Sequence, residues 1–265
     1  MNTRRLRALI GKELLDTARN RAALWPVAIS TVVLLALPFA IAIVLPAATG
    51  RRLGDDADIL RVSAVVGHGE LTPNGRVQLF MFQQFLMVFL LIPITGAMAL
   101  AAHAIVGEKM ARTLEPLLAT PITTVELVVG KVLGSLIPTL AIALASQVVY
   151  LLLIAMSAEA GVIHAIVNAR TLVLTVLVGP AAALVSLQSA IVISSRVNDA
   201  RTAQQFGVLI IVPLAAVLVA QFTGSLWLSA SALAFVALGL FGVWMLLTMF
   251  SVAMFEREAI LTRWK

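Results

Sequence analysis

Cysteine is absent from this chain. That excludes disulfides, thiolate metal sites and cysteine nucleophiles, though it identifies no compartment. Charge is scarce too: Asp, Glu, Lys and Arg make up 12% of the residues, about half the share in soluble domains. No GxxxxGK[ST] loop occurs, since Gly11-Lys12-Glu13 and Gly130-Lys131-Val132 lack the preceding glycine and the following hydroxyl residue. A nucleotide site of that kind is therefore excluded. No HExxH, no GxSxG and no paired membrane carboxylates are present, so the signatures of an intramembrane protease or hydrolase are missing. Asp55, Asp56 and Asp58 have too few ligands, and no EF-type glycine and distal glutamate, for a calcium loop. They read instead as the solvated start of a helix before ILRVSAVV.

What the chain does have is apolar length. Hydrophobic residues make up 61% and the mean hydropathy is +1.03. Six runs are long enough, or nearly so, to cross a bilayer as helices: 24–48, 79–106, 127–156, 171–194, 206–220 and 230–255. The fifth is short, and its end is expected to run into Gln221 and Phe222. Lipid offers no water to unpaired backbone groups, so the expected fold is an all-α integral membrane bundle of six helices in one domain over 1–265. Their apolar cores contain no Asp, Glu, Lys or Arg. Pro38, Pro93, Pro138, Pro180 and Pro213 fall in five of the six runs and predict kinks.

Basic residues outside the runs or at their ends fix orientation. Arg4, Arg5, Arg7, Lys12, Arg19 and Arg21 share one side with Lys109, Arg112, Lys131, Arg196, Arg201, Arg257, Arg263 and Lys265. Arg51, Arg52, Arg61, Arg76 and Arg170 fall on the other. The positive-inside rule then puts both termini and the 107–131 insert in the cytoplasm of a cell (inner or plasma) membrane. The net charge of +6 is accounted for by anionic lipid headgroups, and no nucleic-acid module accompanies it. Residues 2–23 carry Leu6, Ile10, Leu14 and Ala18 at spacing four, the pattern of an amphipathic interfacial helix, with Trp25-Pro26 as the turn into the first span. The 157–170 connection is partly apolar and is expected to rest on the membrane surface.

The insert EKMARTLEPLLATPITTVELVVGK (108–131) is a polar, charged stretch that leads directly from one strongly apolar run into the next. Mixed charge leads into a leucine pair, Pro121 breaks the chain, and Thr123 and Thr124 suit a helix N-terminus. A short amphipathic helix, a stop and a new membrane helix follow.

That segment resembles the core of ABC-2 type exporter permeases, which place a Glu, a T-L-E-x-L-L-x-T-P-(I/V) run and a Gly-Lys between their second and third spans. The matching residues here are Glu108, Thr113 to Pro121 with Ile122, and Gly130-Lys131. Arg112 stands where a glycine often precedes the Thr. IGKELLDTARNRAAL near the N-terminus and SSRVNDARTAQQ at 194–205 extend the likeness along the chain. The resemblance implies a coupling helix near 109–119 that docks on a separate ABC ATPase subunit. Its contacts would come from Glu108, Lys109, Arg112, Thr113, Leu114, Glu115, Leu117, Leu118, Thr120 and Pro121. It also implies two ATPase copies that bind ATP and Mg, a second copy of this permease or a similar one, and no cofactor in this chain.

For a substrate path, uncharged polar residues are the candidates that remain. Gln84 and Thr95 lie eleven positions apart, three turns along one helix face, and the resemblance places the path along the second and fifth spans. Gln147, Gln188, Ser135, Thr139 and Ser146 fit helix–helix packing. Two other function classes stay open on the residues alone. A secondary transporter would need intramembrane carboxylates that this chain lacks. A non-transporting membrane anchor or regulator of an ATPase would bind the ATPase without substrate-stimulated turnover.

Overall fold

The computed structural model describes residues 3–67, 70–110, 123–196, 205 and 208–254, with side chains omitted at 104–110, 124–125, 195–196, 208–210 and 252–254. Every regular element among them is helical. The α-helices are α1 (Thr3–Arg19), α2 (Arg21–Phe39), α3 (Leu45–Thr49), α4 (Ala57–Ser63), α5 (Pro73–Val88) and α6 (Leu91–Met110). They continue with α7 (Thr124–Ser157), α8 (Val162–Ile166), α9 (Ala169–Val173), α10 (Gly179–Arg196), α11 (Val208–Phe222) and α12 (Ala230–Met254). Among the described residues, five helical stretches are long and apolar enough to cross a membrane: Arg21–Thr49, Pro73–His103, Glu126–Ser157, Ala169–Ser194 and Ala230–Ser251. The expected fifth span corresponds to a shorter apolar helix, which does run on to Gln221 and Phe222.

The turn after the N-terminal helix comes earlier than Trp25-Pro26. Asn20 breaks the helix and caps α2, its Oδ1 accepting from the Ala23 amide at 3.1 Å. Pro26 then sits inside α2. Side-chain capping at Asn20 satisfies an otherwise orphaned amide, and that outweighs the proline as a boundary signal.

Prolines shape the spans in two ways. Two π turns, Ala40–Val44 and Leu174–Val178, end two residues before Pro46 and Pro180. In each, the closing amide reaches five residues back, Leu45 to Ala40 and Gly179 to Leu174. A proline has no amide for the carbonyl four residues before it and its ring crowds that carbonyl, so a widened turn accommodates both. Pro93 acts differently. The carbonyl it cannot serve, Phe89, accepts from Ile92 at 3.0 Å, and α5 and α6 part at Phe89–Leu90.

The second and fourth long helices form the buried centre, while the first, third and last surround it. A larger apolar core runs from Leu79, Phe82 and Phe85 to Tyr150, Ile154 and Leu174, with Phe89 and Tyr150 ring centroids 4.6 Å apart. A smaller one joins Ala97, Met98 and Ala101 of α6 to Val128 and Val132 of α7 and Leu187 and Ala190 of α10. Outside, Val32 and Val33, Leu152 and Met156, and Phe235 and Leu246 lie exposed on three helices. Such apolar faces match lipid or another membrane chain, not water.

The 157–170 connection packs on protein: Val162 and Ile166 of α8 are fully buried. Glu159 accepts from the Thr72 hydroxyl and from Asn74 Nδ2 (2.7 Å), and its amide donates to Gln78 Oε1 (2.9 Å). The Thr72 and Asn74 bonds hold the Glu159 carboxyl below its ordinary range. At the aspartate cluster, Asp56 Oδ1 accepts from the Asp58 and Ile59 amides and starts α4, as a helix cap does.

Candidate coupling site and the polar core

Arg112, Thr113, Leu114, Glu115, Leu117, Leu118, Thr120 and Pro121 lie outside the described residues. Glu108 and Lys109 lie on the last turn of α6, without described side chains. The flanks of the segment are defined, and they are firmly built. α6 carries the chain to Met110. On the far side Thr123 caps α7 in a reciprocal box: its Oγ1 accepts from the Glu126 amide (3.2 Å), and Glu126 Oε2 accepts from the Thr123 amide (3.1 Å).

One turn further, α7 receives the N-terminal helix. A methyl group on Gly130 would fall 2.3 Å from Leu9 Cδ2, and one on Gly134 would fall 2.3 Å from Glu13 Cβ. The two glycines, four apart, thus form the seat on which Leu9 and Glu13, also four apart, rest. Between them Lys131 Nζ meets Glu13 Oε1 at 3.2 Å, and both residues are buried. Lys12 Nζ lies 3.5 Å from the same oxygen. The Gly130-Lys131 pair of the sequence motif is therefore where α1 is held. The expected stripe of α1 is shifted: Leu9 and Glu13 are its buried residues, while Leu6, Ile10 and Leu14 are only half-buried and Ala18 is exposed. Lys131, counted from the sequence as a loop charge, is a buried helix residue.

The polar residues within the spans divide into two kinds. Thr95 donates to the Leu91 carbonyl (2.6 Å), Thr139 to Ser135 (2.8 Å) and Ser146 to Ile142 (2.7 Å), each within its own helix. Gln188 Nε2 donates to Ser251 Oγ (2.6 Å) and Tyr150 to the Phe82 carbonyl (2.9 Å), tying helices together. Gln84 is fully buried and donates to the Gln221 carbonyl of α11 (2.9 Å). The break at Phe89–Leu90 separates Gln84 on α5 from Thr95 on α6, so the three-turn register between them is interrupted.

Two apolar cavities among the described residues bear on the expected substrate path. One of about 180 Å³ is lined by Leu86, Phe89, Pro93, Leu140, Gln147 and Pro180, among others. The other, about 370 Å³, lies among α5, α6, α10, α11 and α12. Neither Gln84 nor Thr95 lines these two.

Arg170, counted from the sequence as a charge outside the spans at the end of the 157–170 connection, is buried. Nε donates to the Leu228 carbonyl (3.0 Å) and Nη2 to Gln221 Oε1 (3.0 Å), and the guanidinium stands 4.2 Å from the Trp227 ring centroid. These partners lie 58 and 51 positions away in the chain, beyond the reach of any local pattern.

No curated protein matches the chain. A family model described as ABC-2 family transporter protein matches residues 7–259, nearly the whole length. That match and the multi-pass apolar bundle agree with the resemblance carried by the 108–131 insert. The chain belongs to the ABC-2 transporter family, as the membrane component of an ABC transporter.

Proposed function

We propose that this chain is the permease of an ATP-driven exporter and that the 108–121 segment couples it to a separate ATPase. ATP and Mg bind on that partner. Two permeases, either two copies of this chain or one with a similar chain, pair above two ATPase subunits. The fold has six spans, with α11 as the fifth, and both termini face the cytoplasm. Closure of the ATPase pair pushes the coupling helix, and the spans alternate between inward and outward access.

The supporting observation is how the segment is bracketed. It joins the end of α6 to the capped start of α7, and the smaller apolar core locks these two helices to α10. α7 also holds α1 on Gly130 and Gly134. A displacement of the segment therefore moves four helices together, because close-packed interiors transmit strain rather than absorb it. In this reading Leu114, Leu117 and Leu118 fill an apolar cleft of the ATPase. Glu108, Lys109, Arg112 and Glu115 supply charge, with Arg112 and Glu115 spaced i, i+3. Thr113, Thr120 and Pro121 set the ends of the short helix. The substrate passes between the second and fifth spans, where Gln84 meets Gln221, and Thr95 lies further along that path.

The test is Glu115→Arg combined with Leu118→Asp. Membrane insertion and chain yield stay unchanged, while co-purification of the ATPase is lost. Retained co-purification would refute the coupling role.

A further inference from the structure

Arg170 is 7% exposed, and no carboxylate pairs with it among the described residues. Its contacts are the Leu228 and Gln83 carbonyls, Gln221 Oε1 and the Trp227 ring. Buried cations are ordinarily paired, because neutral acceptors repay only part of the lost hydration. Three hydrogen bonds also leave two of the five guanidinium N–H groups over. Gln221 Nε2, on the side chain that accepts from Arg170, is a buried donor without a partner, and Gln83 and Gln84, on the α5 turn whose backbone meets Arg170, each carry a buried Oε1 without one. All three glutamines are at least 98% buried. Buried polar atoms in native interiors are ordinarily satisfied.

The 370 Å³ apolar cavity adjoins this cluster. Leu228, whose carbonyl accepts from Arg170, lines it, and so do Met87, one turn from Gln83 and Gln84, and Val217, one turn from Gln221. Val178 at the end of a π turn and Pro213 inside α11 also line it. Two places where a span can bend, a π turn and a helix proline, thus form part of its wall.

We propose that Arg170 and Gln221, with the adjoining cavity, form the seat of a transported lipophilic acid. A carboxylate or phosphate head accepts from the free guanidinium N–H groups and Gln221 Nε2. A head-group hydroxyl or water donates to the orphaned glutamine oxygens, and the hydrocarbon body fills the cavity. Assigning this acid as cargo rests on the exporter reading; the seat itself does not. Cargo is favoured over a resident lipid because a π turn and a proline, where helices can bend, line the cavity.

The probe is 2-bromohexadecanoate, whose bromine lies beside the carboxylate and quenches tryptophan at short range. Binding is read on the purified chain in detergent, with Trp25, Trp244 and Trp264 changed to Phe so that Trp227 alone reports. Quenching is expected to saturate, to weaken at least tenfold in Arg170→Gln, and to weaken similarly for the methyl ester, which has lost the charge. Val217→Phe leaves the arginine network in place and shrinks the cavity, so it must weaken binding by itself even if Arg170→Gln fails to fold. Equal quenching by acid and ester, or unchanged binding in Val217→Phe, overturns the seat. With the ATPase present, hexadecanoate should raise ATP turnover in the parent chain but not in Val217→Phe. Binding without stimulation in an intact ATPase complex marks a resident lipid and overturns the cargo assignment. Arg170-dependent binding by a chain that captures no ATPase leaves the seat standing and removes the exporter reading instead.

Discussion

Glu13 and Lys131 face each other at 3.2 Å in a buried contact, 118 positions apart in the chain. Removing one partner of a buried pair costs about 3–5 kcal/mol, whereas replacing both with apolar groups is often neutral. Lys12 remains 3.5 Å from Glu13, so Lys131→Met should cost less, about 2–3 kcal/mol. It should lower thermal stability in detergent and speed amide exchange in α1, and Glu13→Leu in the same chain should restore most of the loss. Full stability in Lys131→Met would show that the pair does not hold the helix. Glu159 gives a second test at this scale. Its carboxyl is held below the ordinary range by Thr72 and Asn74. A depressed carboxylate adds stability that is fully present above its unfolded value and is lost as pH falls through the lowered folded value. Docking of 157–168 on α5 should therefore hold at neutral pH and loosen in acid, read as amide exchange. Glu159→Gln should already be loose at neutral pH and insensitive to acid. The same acid response in both chains would mean another group is responsible.

At the scale of helices, the seat for α1 depends on two missing side chains. Gly134→Leu would drive atoms into the Glu13 stem, where a single methyl already falls 2.3 Å from Cβ. Overpacking of this kind costs about 1–3 kcal/mol. α1 should detach, with exchange rising over residues 3–19 while the larger apolar core around Tyr150 stays protected. Unchanged protection of α1 would contradict the seat. Most of this architecture was legible in the sequence. Long apolar runs have no alternative to helix in lipid, and Thr123 announced the start of α7. Asn20 outranked Trp25-Pro26 because a cap satisfies an amide that a proline merely lacks. Pro46 and Pro180 explain the π turns, but a proline alone does not say whether a helix will kink, widen or part as at Phe89–Leu90. The glycines of α7 were visible at their spacing of four. What they receive was not, because that depends on which distant helix folds back. Arg170 shows the same limit: a charge at the end of an apolar run reads as a charge outside the span, and what covers it, the Gln83 carbonyl, Gln221 and the 223–229 connection, is distant in the chain.

Of the five long apolar helical stretches, the molecule buries the second and fourth and exposes apolar faces on the first, third and last. It is a bundle made for lipid and for neighbouring membrane chains, with no nucleotide loop of its own in the sequence. Membership of the ABC-2 family implies an ABC ATPase partner, and the 108–121 segment between α6 and α7 is the proposed point at which its work enters. The most direct test is to co-express the chain with the products of neighbouring genes, purify it in detergent and measure the mass of the intact assembly. The account predicts two permease chains with two P-loop ATPases, and the ATPases lost in Glu115→Arg with Leu118→Asp. A well-folded chain that brings down no ATPase would contradict it.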